Sequence, residues 1–164
     1  MAKTYKHLYS RIADFENLHA VYLKARRGKR FKPDVLEFSA NLETNLLALR
    51  GELLTKTYRT GDYHVFNVYE PKKRVVAALP FRDRVVHHAL CNVIEPIWEA
   101  RFIHDSYACR VDKGTHAGAD RVTDFLRRAR RMWPQVYVLK LDIKSYFPSV
   151  DHAILLSLLE KRIA

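Results

Sequence analysis

Between residues 35 and 97 the apolar residues change period twice, and that order restricts the fold more than any other feature of the chain. Val35, Phe38, Leu42, Leu46, Leu49 and Leu53 recur at spacings of three and four, which predicts one long helix with Glu and Asn on its opposite face. From Tyr63 to Pro80 the runs become short and β-rich. Residues 63–69 and 74–79 are expected to be two strands joined by the basic turn Glu70-Pro71-Lys72-Lys73. After Pro80 a helical stripe returns at Val85, Ala89, Val93 and Ile97, flanked by Val86, Leu90 and Ile94, so a largely buried helix is expected there. Helix, hairpin and helix in this order make the class α+β and mostly helical.

The flanks follow the same logic. The run Lys24-Ala-Arg-Arg-Gly-Lys-Arg-Phe-Lys32 closes a helix at Gly28 and continues as a loop until Pro33 opens the next element. Residues 101–115 show no sustained period. A helix is predicted over about 116–132, with Val122, Phe125, Ala129 and Met132 inward and Arg127, Arg128, Arg130 and Arg131 outward. Beyond Pro134, Val136-Tyr-Val-Leu-Lys-Leu-Asp-Ile143 has the pattern of a buried strand. A turn over 144–150 and a final amphipathic helix from Asp151, carrying Ile154, Leu155, Leu158 and Leu159, complete the chain. With 164 residues, 48% of them hydrophobic, and no repeat or linker, a single domain is expected.

Charge narrows the partners. Twenty-nine Lys and Arg against eighteen Asp and Glu give a net charge of +11, the footprint of a surface for polyanions, a charge that membrane-surface binders share. Cys91 and Cys109 are too few for a disulfide framework and the N-terminus does not resemble a signal peptide, so the cytoplasm is the expected compartment. No apolar run approaches the roughly 20 residues that span a bilayer, which excludes a helical membrane protein.

The most chemically informative segment is Leu139-Lys-Leu-Asp-Ile-Lys-Ser-Tyr-Phe-Pro-Ser-Val-Asp151. Asp142 stands at the end of an apolar run just before a turn, where an unpaired charge is costly unless a cation compensates it. Magnesium held by this carboxylate and the Ile143 carbonyl would suit phosphoryl transfer, and the turn amides of Ser145 and Tyr146 could cradle phosphate oxygens. A carboxylate capping the turn is the simpler alternative for a lone Asp.

The run from Leu141 to His152 resembles the first catalytic motif of bacterial reverse transcriptases. Upstream, Tyr69-Glu-Pro-Lys-Lys-Arg-Val-Val-Ala-Ala-Leu-Pro-Phe-Arg-Asp-Arg-Val-Val-His-His-Ala-Leu90 is similar to the family's fingers motif, and Ser106-Tyr-Ala-Cys-Arg-Val-Asp-Lys-Gly-Thr-His116 to the one that follows it. The resemblance covers about residues 60–160. Its wording is nearest to the enzymes of diversity-generating retroelements, through Ala-Leu-Cys-Asn and Lys-Gly-Thr-His-Ala-Gly, and related to those of retrons and group II introns.

This resemblance implies an RNA-directed DNA polymerase that uses Mg2+, an RNA template, a DNA or RNA primer and dNTPs, with an accessory protein left open. Residues 1–60 would be a basic helical extension, 61–135 the fingers, and 136–164 the start of the palm with its first strand. Asp142 would be the catalytic metal ligand, joined by the Ile143 carbonyl. Phe147 would stack under the incoming sugar and exclude a 2′-hydroxyl by its bulk. Arg74 would cover the triphosphate as a bidentate fork, helped by Lys72 or Lys73, with Ser145 and Tyr146 also at the nucleotide.

Arg110 and Lys113 would lie near nucleotide or template, yet an Arg in an irregular segment is as often a bridge to a carboxylate. Arg82 and Arg84 could reach template phosphates or pair internally through Asp83. The cations at 24–32 and 127–131 suit backbone contacts that weaken with salt, and either cluster could equally be plain surface. His87, Cys91, His104, Cys109 and His116 are spaced poorly for zinc, and packing is the better reading. The family's Tyr-x-Asp-Asp motif does not occur in these 164 residues, so the chain is expected to be a fragment or decayed copy, inactive alone. The rival from another class is a non-catalytic RNA-binding module on the same scaffold.

Overall fold

In the computed structural model, which describes residues 4–164, the chain divides into two compact units where composition suggests one. The first runs to Pro96 and includes Ile163–Ala164; the second is Ile97–Arg162.

The first unit holds α1 (Leu8–Ile12), α2 (Phe15–Ala25), α3 (Pro33–Ala40), α4 (Leu42–Leu54), β1 (His64–Val68), β2 (Arg74–Ala78) and most of α5 (Phe81–Glu99). Asp14 starts α2 by accepting hydrogen bonds from the Glu16 and Asn17 amides at 3.1 and 3.3 Å, satisfying donors that a helix N-terminus leaves free. The helix stops at Ala25, and Gly28 takes a left-handed φ of 70° in the turn beyond.

The single long helix expected over 35–53 is two. Asn41 leaves helical geometry at φ −125°, ψ 52°, and the Asn45 side-chain amide donates to the Phe38 carbonyl at 2.9 Å, satisfying an acceptor that the broken ladder releases. The apolar stripe survives the break. Val35, Phe38, Leu46, Leu49 and Leu53 are all buried. Tyr22, Phe38 and Phe81 meet as a cluster with ring centroids 5.4–6.0 Å apart, which locks α2, α3 and α5 together.

The expected hairpin forms, antiparallel, pairing His64 with Ala78 and Val68 with Arg74. It is held at its base by Asp83, a carboxylate only 1% exposed near the start of α5. Asp83 accepts hydrogen bonds from the Tyr58 hydroxyl and from the Gly61 amide at 3.3 Å, so the segment leading into β1 is pinned to the helix that leaves β2. Along α5, Val85, Ala89, Val93 and Ile97 are buried as expected, but Leu90 is exposed, so the helix is covered on one stripe only. Pro96 lacks the amide needed for the helical ladder, and the division between units falls there.

The second unit contains α6 (Thr115–Met132), a short 3-10 turn at Phe147–Ser149 and α7 (His152–Glu160), which Asp151 caps. Two expectations fail here. Residues 136–143 form neither strand nor helix, because none of the described residues offers a backbone to pair with; Leu139 is 81% exposed. Val122, Phe125 and Met132 of α6 are exposed rather than inward, since no described element covers that stripe. The class is therefore α+β, mostly helical, with a two-stranded antiparallel sheet and no palm strand among the described residues. No helix among them is long and apolar enough to cross a membrane.

The Asp83 pin is testable. Replacing Tyr58 with Phe keeps the ring under the Arg82 guanidinium but leaves a buried carboxylate short of a donor, which should cost about 1–3 kcal/mol in thermal or urea unfolding. Burial, then the hydrogen bond to Asp83 and its charge, push the Tyr58 pKa up to about 12. A raised folded value means that the contribution is intact below the ordinary value of 10.0 and is lost as pH rises through about 12. The stability difference between the wild-type chain and Tyr58→Phe should accordingly shrink over that interval, and a difference that stays constant would exclude the pin.

Candidate nucleotide and nucleic-acid site

The hairpin places a cation at the start of a shaped surface. Arg74 opens β2, exposed beside Lys72 and Lys73 in the turn, and none of the three forms an ion pair with a described residue. Cross-strand partners share a face and side chains alternate, so Arg74 lies on the side of the sheet that carries His64, Phe66 and Ala78. The His64 and Phe66 rings are 5.6 Å apart. Together with Ala78, Lys32 and Arg84 they line a cavity of about 580 Å³. A planar ring could stack there with a guanidinium further along the same face.

In the second unit, Asp142 is exposed, outside any helix or strand, and accepts no hydrogen bond from any described residue. The Ile143 carbonyl is likewise unbonded. The turn that follows is built by Ser149, whose amide donates to the carbonyls of Ser145 and Tyr146 at 3.0 and 3.1 Å. Ser145 takes a left-handed φ of 52°, a strained value for a residue with a Cβ. The amides of Ser145 and Tyr146 donate to no described residue, which leaves two N–H groups available to an anion.

The rings of Tyr146 and Phe147 cross at 75° with centroids 5.2 Å apart, and Phe147 is 83% exposed. Nearby Asp151 is committed to capping α7, accepting from the Ala153 and Ile154 amides at 2.8 and 3.1 Å. Asp142 and the Ile143 carbonyl are hard oxygen donors of the kind magnesium takes, but they are one carboxylate and one carbonyl. Among the described residues no group of three or more His, Cys, Asp or Glu stands where it could hold a metal.

The other sequence candidates face inward. Arg82 is paired with Glu52 and donates to the Arg59 carbonyl; Arg84 is paired with Asp34. Both are engaged internally, through carboxylates other than Asp83. Arg110 donates to Glu99 at 2.7 Å and to the carbonyls of Ile103 and Ser106 at 2.9 and 3.1 Å, bracing residues 99–110. Lys113 donates to the His104 carbonyl and lies over the Tyr107 ring.

A residue not singled out in the sequence, Asp105, joins this loop to α6 by accepting from Arg121 and Tyr107 at 2.8 and 3.0 Å, and the Arg121 bond holds its carboxyl well below the usual range. The glycine of the 106–116 motif has a physical reason: Gly114 has φ 120°, which only glycine adopts readily. Of the zinc candidates, Cys91 and Cys109 are free thiols and His104 bonds to Asp105 at 3.2 Å.

No protein-family model matches the chain. Over 132 residues, 76% of this chain, it is 33% identical to Protein YkfC of Escherichia coli (strain K12), of whose length it covers 33%. Over 88 residues, 44% of this chain, it is 33% identical to Nuclear intron maturase 2, mitochondrial, of Arabidopsis thaliana, of whose length it covers 12%. The chain thus spans a third of one relative and a smaller part of the other.

Arg110 can be tested as a brace. Lysine keeps the charge but cannot hold a carboxylate and two carbonyls with one planar fork. Arg110→Lys should therefore speed amide exchange across residues 101–114 by at least about fivefold, the loss of roughly one hydrogen bond. Unchanged protection would show that the loop does not depend on it.

Proposed function

We propose that the chain carries the fingers and the first palm motif of a bacterial RNA-directed DNA polymerase, working on an RNA template with a DNA or RNA primer and dNTPs. The observation that carries this reading is Asp142: an exposed carboxylate free of internal bonds, followed by a turn whose Ser145 and Tyr146 amides are also free. Structural carboxylates in this chain, Asp83 and Asp151, are bonded; this one is not. Partial likeness to an intron maturase supports the same reading, on the intron-enzyme side of the resemblance. The diversity-generating type rests on the two sequence matches alone.

In this reading Asp142 and the Ile143 carbonyl would hold Mg2+, and the further carboxylates of a Tyr-x-Asp-Asp motif would be needed to complete the site. Bound magnesium would stabilise the charge that develops on the transferring phosphoryl group. Arg74, with Lys72 and Lys73, binds the triphosphate as an always-charged fork. In the second unit, the free Ser145 and Tyr146 amides would orient phosphate oxygens, and the exposed Phe147 ring would exclude a 2′-hydroxyl. The exposed cations at 127–131 bind nucleic-acid backbone without regard to sequence.

The test is primer extension with a protein in which these residues are followed by a Tyr-x-Asp-Asp motif. Asp142→Asn should lower synthesis at least about 100-fold while RNA affinity changes by less than about twofold. Phe147→Ala in the same protein should admit ribonucleotides. Undiminished synthesis by Asp142→Asn would defeat the reading, and RNA binding with no synthesis in either protein would favour the non-catalytic module.

A further inference from the structure

Positive charge gathers on one side of α5. Arg84, His87, His88 and Cys91 follow one another at helical spacing and line a shallow bay of about 210 Å³. Lys24 of α2 and Lys29 of the turn after it stand close enough, with Arg84 and His87 of α5, to act on His88. The carboxylates at hand are few. Asp34 is paired with Arg84, and Glu95 acts on Cys91, leaving His88 with cationic neighbours alone.

Arg84 is neutralised by Asp34, whereas Lys24 and Lys29 have no carboxylate partner among the described residues. Lys24 donates to the uncharged Asn92 side chain at 2.7 Å, which satisfies a proton but not the charge. Lys29 makes no ion pair with a described residue. Arg84 gives one nitrogen to Asp34, while its Nε is buried without an acceptor. Like charges gathered at a concave surface repel one another, and an anion placed among them removes that cost.

We propose that this bay binds a phosphate group, supplied by the sugar-phosphate backbone of a nucleic acid. The choice of source rests on the nucleic-acid partner of the polymerase reading, though on none of its chemistry. It is favoured by continuity: Lys29 belongs to the exposed run Arg27–Lys32, which carries Arg27, Arg30 and Lys32 as well. A strand seated in the bay can therefore continue along a cationic path, whereas a free phosphate would use one point of it.

Binding here is coupled to a proton. Burial, then Lys29, Lys24, His87 and Arg84, hold the His88 pKa below its ordinary value, so the free protein disfavours the charged imidazole. A phosphodiester offsets the same charges and raises the proton affinity of His88. Affinity is therefore gained as pH falls through the range in which bound His88 takes up its proton, and the gain is absent above it. A phosphodiester does not itself titrate there, so the dependence belongs to the protein.

The experiment uses the whole 164-residue chain, a single-stranded RNA of about ten nucleotides and, separately, inorganic phosphate. The His88 ring is followed by NMR through a pH titration, and RNA affinity is measured between about pH 6 and pH 8. RNA should raise the pH at which His88 titrates. Affinity should rise on acidification, by at most about tenfold per pH unit, and His88→Gln should flatten that slope. Lys29→Gln should weaken binding and raise the titration point of His88 in the free protein.

A slope unchanged in His88→Gln, or a His88 titration that RNA does not move, would overturn the proposal. If inorganic phosphate moves His88 while RNA gains no affinity through it, a free phosphate species is the ligand and the backbone assignment falls. Because Asp142→Asn should leave all these readings unaltered, failure of polymerisation and failure of this site are separate results.

Discussion

The meeting of Tyr22, Phe38 and Phe81 is the contact through which the first unit acquires a fixed geometry. Each ring comes from a different helix, so α2, α3 and α5 cannot shift independently without opening a gap that no other side chain fills. Losing one such aromatic from a core typically costs about 3–5 kcal/mol. The Tyr22 hydroxyl extends the cluster outward, lying 2.7 Å from Ser39 Oγ and accepting from Arg26 at 2.8 Å, so the polar end of a buried ring is satisfied at the surface. Phe81 is also two residues from Asp83, whose bonds to Tyr58 and Gly61 fix where the hairpin begins. The position of Arg74 therefore depends on an aromatic core several elements away.

Much of this unit was legible because periodicity reports on faces. The stripe from Val35 to Leu53, the hairpin with its basic turn and the buried line of α5 all follow from spacing. What spacing does not carry is the local alternative that Asn41 and Asn45 offer the backbone, and so the break between α3 and α4 was invisible in the apolar pattern. The second unit failed for a different reason. A strand is defined by its partner, and the alternation of residues 136–143 contains no information about whether one is present.

Legibility at the candidate site divides along the same line. Asp142, Phe147 and Arg74 were named by motif and lie exposed, where a motif can act without help from the fold. The roles of Arg82 and Arg84 depend on acceptors far away in sequence, Glu52 and Asp34, and no local pattern announces such pairs. Asp105 carried no periodic signal at all. The shared face of Arg74, Phe66 and His64, by contrast, was available from the two-residue alternation of the hairpin and went unused.

The uncovered surface of the second unit has a consequence for how the molecule behaves among its own copies. Tyr137, Leu139, Leu141 and Ile143 are exposed on a segment outside any helix or strand, with unpaired amides, and Leu155, Leu156 and Leu158 add to the same unit's exposed apolar area. Such a segment can zip against its counterpart on another molecule, the start of sheet-like aggregation. What opposes this is the net charge of +11, which repels one copy from the next over a distance set by ionic strength. Colloidal behaviour should thus run opposite to that of a salted-in protein, with dilute buffer keeping the chains apart and added salt letting their greasy edges find each other.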